Sequence, residues 1–397
     1  MSNGSVYRRK GARTWTFAVD LGPDPVTGKR RRKSYYGYAT RREAESARVE
    51  IVARLRNGMY VDPSKQALGE FLEGVWLPTI EPRVEAATHD NYRGVIQRYV
   101  VPHLGNVAVQ SVTSAHLNGL YAHLAKCGGR NERPLSPRTV RLVHIVLRKA
   151  LKDAVRWSLL ARNPADAADP PKQKRSQIDH SLWTVEDAQA FIASIAADRM
   201  RCAWLLAIST GMRRGEVAGL RWRDVDLDAK SVAIRQTRTS VGYEVVVKPP
   251  KSGSQRVVAL DDLAVSHLLD HRQRQIEERL AFGPGYDTSH DLVFRHEDGT
   301  PIHPELFTEW FQKRVAAAGL PHMRFHDLRH LHATLGLAAG IHPLVMSKRL
   351  GHANVSITLD TYSHVIPQMD RDAAGVVASL LDPGEVLRGR ALTAGEG

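Results

Sequence analysis

Cysteine is nearly absent from this 397-residue chain: Cys127 and Cys202 are the only two, and neither sits in a C-x-x-C pair. That excludes a disulfide framework and fits a reducing cytoplasm. Long apolar runs are missing as well. No segment approaches the roughly 18 uninterrupted apolar residues of a membrane span, so no membrane association is expected. The opening residues, Met1-Ser-Asn-Gly-Ser-Val-Tyr-Arg-Arg-Lys10, hold no apolar stretch of the kind a secretory signal needs. Acidic residues are scarce beside basic ones, 42 against 56, which leaves a net charge of +14 and a pI near 9.9. Such an excess favours nucleic acid or another anionic surface as partner. It is also concentrated: residues 1–56 hold 14 Lys/Arg and 5 Asp/Glu, a net of +9.

Length allows two or three domains, each with its own core. Residues 1–56 read as a small β unit followed by a helix. Thr14–Asp20 alternates β-branched and aromatic residues, Gly22–Gly28 is turn chemistry, and Arg32–Gly37 resumes an extended pattern. Thr40 with Glu43 forms an N-terminal capping signature for a helix running to about Arg56. Gly58–Lys65 reads as a linker. Residues 67–165 turn helical, with Leu68, Phe71, Leu72 and Val75 at helical spacing, then Tyr92, Val95, Ile96 and Tyr99. Two more helices are predicted at roughly 113–126 and 136–157, which makes a four-helix bundle. A Pro- and Lys/Arg-rich linker, 163–176, precedes a mixed α/β region to about 382. That region is expected to hold a long apolar helix near 197–210, a hairpin region near 231–260 and several later helices.

Four segments stand out for phosphodiester chemistry, which needs a nucleophile, cations around the non-bridging oxygens and an acid for the leaving oxygen. In Ser209–Val217, Gly211 allows a sharp turn before a helix starting near Arg213. That places a guanidinium where a helix dipole favours phosphate, with Glu216 one turn on to orient it. In Lys248–Leu260, Lys251 falls at a turn between two predicted strands, with Lys248 as a neighbouring candidate. In Phe325–His332, His326 and Arg329 are three apart on a helix and share a face, while Leu328, Leu331 and Leu335 bury the other. His322, His326, His330 and His332 crowd together, but the Glu of an H-E-x-x-H site and any nearby Cys are lacking, so no metal is expected. In Leu350–His364, Gly351 ends one helix, Ser356 is expected to cap the next, and Tyr362 lies on it. A phenol titrates near 10, and surrounding cations favour the nucleophilic phenolate.

The ordered set Arg213, Lys251, His326-x-x-Arg329, Leu350-Gly-His352 and Tyr362 resembles the tyrosine recombinase family, the lambda-integrase-like phage integrases and their Xer relatives. The match spans about 180–382 and implies a catalytic domain of that fold. By resemblance Arg213 and Arg329 clamp the scissile phosphate and Lys251 protonates the 5′ leaving oxygen. His326 assists proton transfer, His352 hydrogen-bonds the phosphate, and Tyr362 forms a 3′-phosphotyrosyl intermediate. Residues 67–165 resemble the helical, SAM-like core-binding domain. Residues 1–56 resemble the three-stranded arm-site-binding domain of phage and integrative-element integrases. Their candidate DNA contacts are Tyr7, Arg8, Arg9 and Lys10, and the run Arg30, Arg31, Arg32, Lys33.

The resemblance implies a multidomain, mainly α chain with α+β parts, acting in the cytoplasm of a bacterial host. Its partner is double-stranded DNA, at attachment core and arm sites, on which it works as a homo-tetramer. An accessory DNA-bending protein and a directionality factor are further implied partners. Neither metal nor nucleotide cofactor is called for, because a phosphotyrosyl linkage conserves the energy of the broken bond. The apolar face in 371–381 either docks on a neighbouring subunit or folds back on its own. An Xer-like resolvase would lack the basic N-terminal unit. A type IB topoisomerase-like strand transferase would relax supercoils without pairing two sites, and a non-catalytic DNA-binding regulator would trap no covalent complex.

Overall fold

The computed structural model describes residues 5–23, 27–172, 183–250, 255–352 and 354–361. Lys251, Tyr362 and the apolar segment 371–381 lie outside these. The chain divides into two compact units, Met1–Arg175 and Ser176–Gly397.

The first unit contains two separate cores. Strands β1 (Val6–Tyr7), β2 (Trp15–Pro23) and β3 (Arg30–Tyr38) form an antiparallel sheet in that order. Helix α1 (Arg41–Arg56) starts at Thr40, whose hydroxyl accepts from the Glu43 amide while the Glu43 carboxylate accepts from the Thr40 amide. Two otherwise orphaned N–H groups are thereby satisfied. Alternation along the strands sends Phe17 and Val19 towards α1, where Ala44, Ala47 and Ile51 meet them. So small a sheet needs this cover to be stable.

The second core belongs to four helices. Helix α2 runs over 68–80, with a π-helical stretch at Phe71–Trp76, and α3 runs over 86–104, with another at Ile96–Val100. They are followed by α4 (Ser114–Cys127) and α5 (Pro137–Arg156). Fully buried Phe71, Leu72, Trp76, Ile96, Leu117, Leu124, Leu147 and Leu151 interlock between them. The Trp76 indole N–H, which needs an acceptor once buried, donates to Asp153 Oδ2 at 2.9 Å and ties α2 to α5.

The second unit is built on α6 (Val185–Ser194), α7 (Arg201–Thr210), α8 (Arg214–Ala218), α9 (Asp262–Phe282), α10 (Pro304–Ala317), α11 (Asp327–Ala338), α12 (Pro343–Leu350) and α13 (Val355–Thr361). An aromatic cluster of Phe191, Trp204, Phe307, Phe311 and Phe325 fills its core. Helix α7 is apolar nearly all round, as a helix sealed inside a domain must be.

The strands of this unit correct one expectation. β5 (Ser231–Ile234) pairs with β8 (Arg256–Ala259) and with β4 (Val225–Asp226), whereas β6 (Thr237–Val241) and β7 (Glu244–Lys248) make their own hairpin. The inner hairpin turns at Gly242-Tyr243, with Gly242 at φ +63°, a two-residue turn that glycine at its first position permits. The two strands that flank the Lys251 segment, β7 and β8, therefore do not pair with each other as a hairpin, and each pairs elsewhere. Helix α13 supplies a second correction. The Ser356 amide donates to Asn354 Oδ1 at 3.0 Å, so Asn354 takes the capping place expected of Ser356.

Candidate active site

Two helix ends build the floor of the site. Helix α7 stops at Gly211 and α12 at Gly351, both with φ +67°, the left-handed cap that releases the chain at little cost only for glycine. A Cβ on Gly211 would lie 2.6 Å from Leu350 Cδ2 and 2.9 Å from a His332 ring carbon, so the two helix ends press together. Last-turn carbonyls of a helix have no partner within it. Here Arg329, on α11 and only 3% exposed, donates to the carbonyls of Gly211 at 2.8 Å and Leu350 at 2.6 Å. Arg349 donates to the Ser209 carbonyl at 2.9 Å and to His332 Nε2 at 3.2 Å.

Arg213 sits at the N-cap of α8, its guanidinium about a third exposed. Its Nη1 donates to Glu216 Oε1 and its backbone amide to Glu216 Oε2, each at 2.9 Å. Glu216 is 2% exposed. Burial pushes its carboxyl up, but hydrogen bonds and charge from Arg256, then from Arg213, outweigh this and leave it below its ordinary range. The short α8 lies directly against β6, since a Cβ on Gly215 would meet Thr237 Oγ1 at 2.3 Å.

His352 follows Gly351, and its Nδ1 is 2.8 Å from the fully buried Thr358 hydroxyl of α13. Burial, then the charges of Arg329, Arg213, His330 and Arg256, hold the imidazole down to about 4. His326, the N-cap residue of α11, meets His330 edge-on at 5.3 Å. It is also held down, by the surrounding protein first and then by His330, Arg329 and Arg213, although solvent screens part of this because the residue stays exposed. The structure thus gathers Arg213, His326, Arg329 and His352 into one electrostatic neighbourhood of neutral imidazoles between cations, which suits an anion. Among the described residues no group of three or more His, Cys, Asp or Glu is arranged to hold a metal. The assignments to Lys251 and Tyr362 lie outside the described residues; Lys248 ends β7 opposite Thr237.

These imidazoles make stability depend on pH. His271, His332 and His352 are each held down to about 4 in the folded chain, chiefly by burial, against about 6.5 when unfolded. Their contribution is therefore complete above pH 6.5 and is lost as the medium is acidified towards 4, because the unfolded chain takes up protons that the folded one refuses. The melting temperature is expected to fall through that window, and His332→Gln to lessen the fall. An unchanged pH slope in that variant would contradict the assignment.

On the N-terminal sheet the basic candidates separate. Lys33 is on the α1 side and bonds Asp62 at 2.9 Å, where Arg31 adds its charge. Arg30 pairs with Asp20 at 3.1 Å, and Arg32 lies opposite Asp20 on the uncovered face, which Tyr7 and Tyr36 share. Arg9 stacks on Tyr36 at 5.2 Å and Arg8 on Trp15 at 5.6 Å. Lys10 is exposed beside them. The run 30–33 is thus split by strand alternation and does not present one continuous basic edge.

Sequence reasoning missed Arg256 and Arg349, and weighed His332 only as a metal ligand. Arg256 begins β8 and looks in sequence like a solvated residue beside an apolar run. In the structure its side chain is 7% exposed and holds Glu216 and the Arg349 carbonyl.

Comparison with known proteins agrees along most of the chain. Residues 184–369 match the model of the phage integrase family, 5–54 an arm DNA-binding domain, and 67–125 the N-terminal SAM-like domain of phage integrases. A tyrosine recombinase XerC-like protein of Caldanaerobacter subterraneus subsp. tengcongensis is 28% identical over 96% of this chain and 100% of its own. The ICEBs1 integrase of Bacillus subtilis is 26% identical over 91% of this chain and 96% of its own. Among solved structures, the Tn1549 transposon integrase in complex with a circular intermediate DNA superposes with TM-score 0.63 at 19% identity, covering 79% of this chain and 99% of that one. A lambda integrase tetramer bound to a Holliday junction gives 0.56 at 18% identity, covering 90% and 95%.

Proposed function

Because the chain belongs to the phage integrase family of tyrosine recombinases, and is a site-specific recombinase, we propose that Tyr362 is its nucleophile and that Arg213 and Arg329 bind the phosphate it attacks. The observation that carries this reading is the gathering of Arg213, Arg329, His326 and His352 around one neighbourhood, with Tyr362 next in sequence after Thr361, the last described residue of α13. Clustered cations favour both the phosphate and the phenolate form of an incoming tyrosine. The Tyr362 oxygen bonds to phosphorus as the bond from phosphorus to the 5′ oxygen breaks. Lys251 gives its proton to that oxygen, with Lys248 as the alternative donor. His326 relays protons and His352 hydrogen-bonds a non-bridging oxygen. Attack by a 5′ hydroxyl of the partner strand reverses the sequence and regenerates the phenol, so neither metal nor nucleotide enters.

Residues 180–382 form the catalytic part, 67–165 close over duplex DNA at the core site, and 1–56 engage a separate arm site. Arg32, Tyr7 and Tyr36 on the uncovered face of the N-terminal sheet, with Arg8, Arg9 and Lys10, favour insertion of that sheet into a groove. Arg30, Arg31 and Lys33 act at phosphates once released from Asp20 and Asp62. Strand exchange takes place in a homo-tetramer, with a DNA-bending protein and a directionality factor as accessory partners, in the cytoplasm of a bacterial host. No helix among the described residues is long and apolar enough to cross a membrane.

Removing residues 1–56 tests the division of labour. The truncated chain loses the bonds from Lys33 to Asp62 and from Tyr35 to Tyr60, partly exposed contacts of small worth. Core-site cleavage is expected to persist within about threefold, while arm-site binding disappears in a mobility-shift assay, since the contacts that would carry it are gone. Loss of core cleavage in a folded truncation would overturn the modular reading.

A further inference from the structure

The geometry points to Arg256 as the positioning residue that leaves the Arg213 charge available to the scissile phosphate and sets the His352 turn beside it. This rests on the reading that Arg213 and His352 touch that phosphate. Arg256 has no part in the chemistry proposed above, yet among the described cations of the site it is the most enclosed after Arg329, with 7% of its side chain exposed.

Its fork reaches two parts of the fold that sequence keeps far apart. Nη1 and Nη2 donate to Glu216 Oε1 and Oε2 at 3.1 and 2.8 Å, and Nε donates to the Arg349 carbonyl at 2.8 Å. A Cβ on Gly351 would lie 3.0 Å from Arg256 Cδ and Nη1, so the turn leading into His352 rests on this side chain. Arg256 also begins β8, five residues after Lys251 in sequence.

Charge balance gives the placement a purpose. Glu216 is a buried carboxylate that Arg213 alone would have to neutralise, and a guanidinium so engaged attracts a phosphate less. With Arg256 paired to both Glu216 oxygens, the three side chains carry one net positive charge, and it resides on the partly exposed Arg213. Only an arginine fits this place. Lysine is a compact point charge that cannot span two carboxylate oxygens and a carbonyl.

The test uses full-length protein and a nicked core half-site that traps the covalent adduct. The scissile group is either an ordinary phosphate or an uncharged methylphosphonate. On phosphate, Arg256→Met is expected to slow adduct formation about 100-fold with half-site affinity retained, and Arg256→Lys about 10-fold, as misplacement of a charged group near the reacting centre does. On methylphosphonate, where the Arg213 charge has less to act on, both defects are expected to shrink to within about threefold. A role confined to stability would slow both substrates alike. Equal defects on the two substrates, or wild-type rates on phosphate, overturn the proposal. If Arg256→Met does not fold, Arg256→Lys decides by the same ratio. Arg213→Ala separates the two levels: if it cleaves phosphate at the wild-type rate, the assignment of Arg213 falls and this proposal with it. An inactive Arg213→Ala beside fully active Arg256 variants overturns the role of Arg256 alone.

Discussion

Tyr362→Phe is expected to bind a core half-site with unchanged affinity and to form no covalent adduct with nicked DNA, a loss of at least about 10,000-fold in the cleavage rate. The size follows from chemistry, since the substitution removes one oxygen and with it the only atom that would bond to phosphorus. A ring without its hydroxyl fills nearly the same space, so the melting temperature should move by no more than a degree or two. Phosphate affinity should persist because the proposed phosphate cations, Arg213 and Arg329, have anchors of their own. Arg213 is held by Glu216, and Arg329 by the Gly211 and Leu350 carbonyls. Binding and cleavage are therefore expected to separate cleanly. An adduct persisting in the Phe variant would assign the nucleophile elsewhere.

Arg329→Met carries the second large effect, and here stability and activity should fall together. The guanidinium is 3% exposed and closes the carbonyl ends of α7 and α12. Its removal strands two buried acceptors, a cost of about 2–4 kcal/mol. On the proposed mechanism it also removes a phosphate cation and loosens the turns carrying Arg213 and His352, so adduct formation is expected to drop at least about 1,000-fold. Arg329→Lys should recover part of the stability but little of the rate, because an ammonium cannot reach two carbonyls and a phosphate in one geometry. Urea denaturation and single-turnover cleavage on the same preparations check both halves. A variant of full stability would contradict the buried anchoring, and a variant of full rate would remove Arg329 from the phosphate.

Much of this site was legible because its key groups sit at local signals. Gly211 and Gly351 mark helix ends, and Arg213 and His352 follow them within two residues. Thr40 with Glu43, and Thr184 with Asp187, announce helix starts that the structure shows as closed capping boxes. The four-helix pattern of 67–165 was readable because each helix buries one stripe at a regular spacing. What escaped depends on distance along the chain. Arg256 and the Arg349 carbonyl are 93 residues apart, and Arg349 and the Ser209 carbonyl 140, so no spacing rule connects them. The pairing of β8 with β5, not with β7, was hidden for the same reason, since both strands carry the same β-branched pattern. Asn354 displaced Ser356 as cap because both are good capping residues two positions apart, and only the backbone decides between them. The basic run 30–33 looks uniform in sequence, yet strand alternation and the acids Asp20 and Asp62 divide it.

The central claim, that this recombinase acts through a phosphotyrosine at position 362, is tested most directly by mapping the trapped adduct. Wild-type protein is incubated with a nicked core half-site, the covalent complex is digested with protease and nuclease, and the modified peptide is sequenced by mass spectrometry. The account predicts a 3′-nucleotidyl phosphate on the peptide containing Asp360-Thr361-Tyr362, attached to Tyr362. Attachment to any other residue, or linkage through a 5′ phosphate, would contradict it.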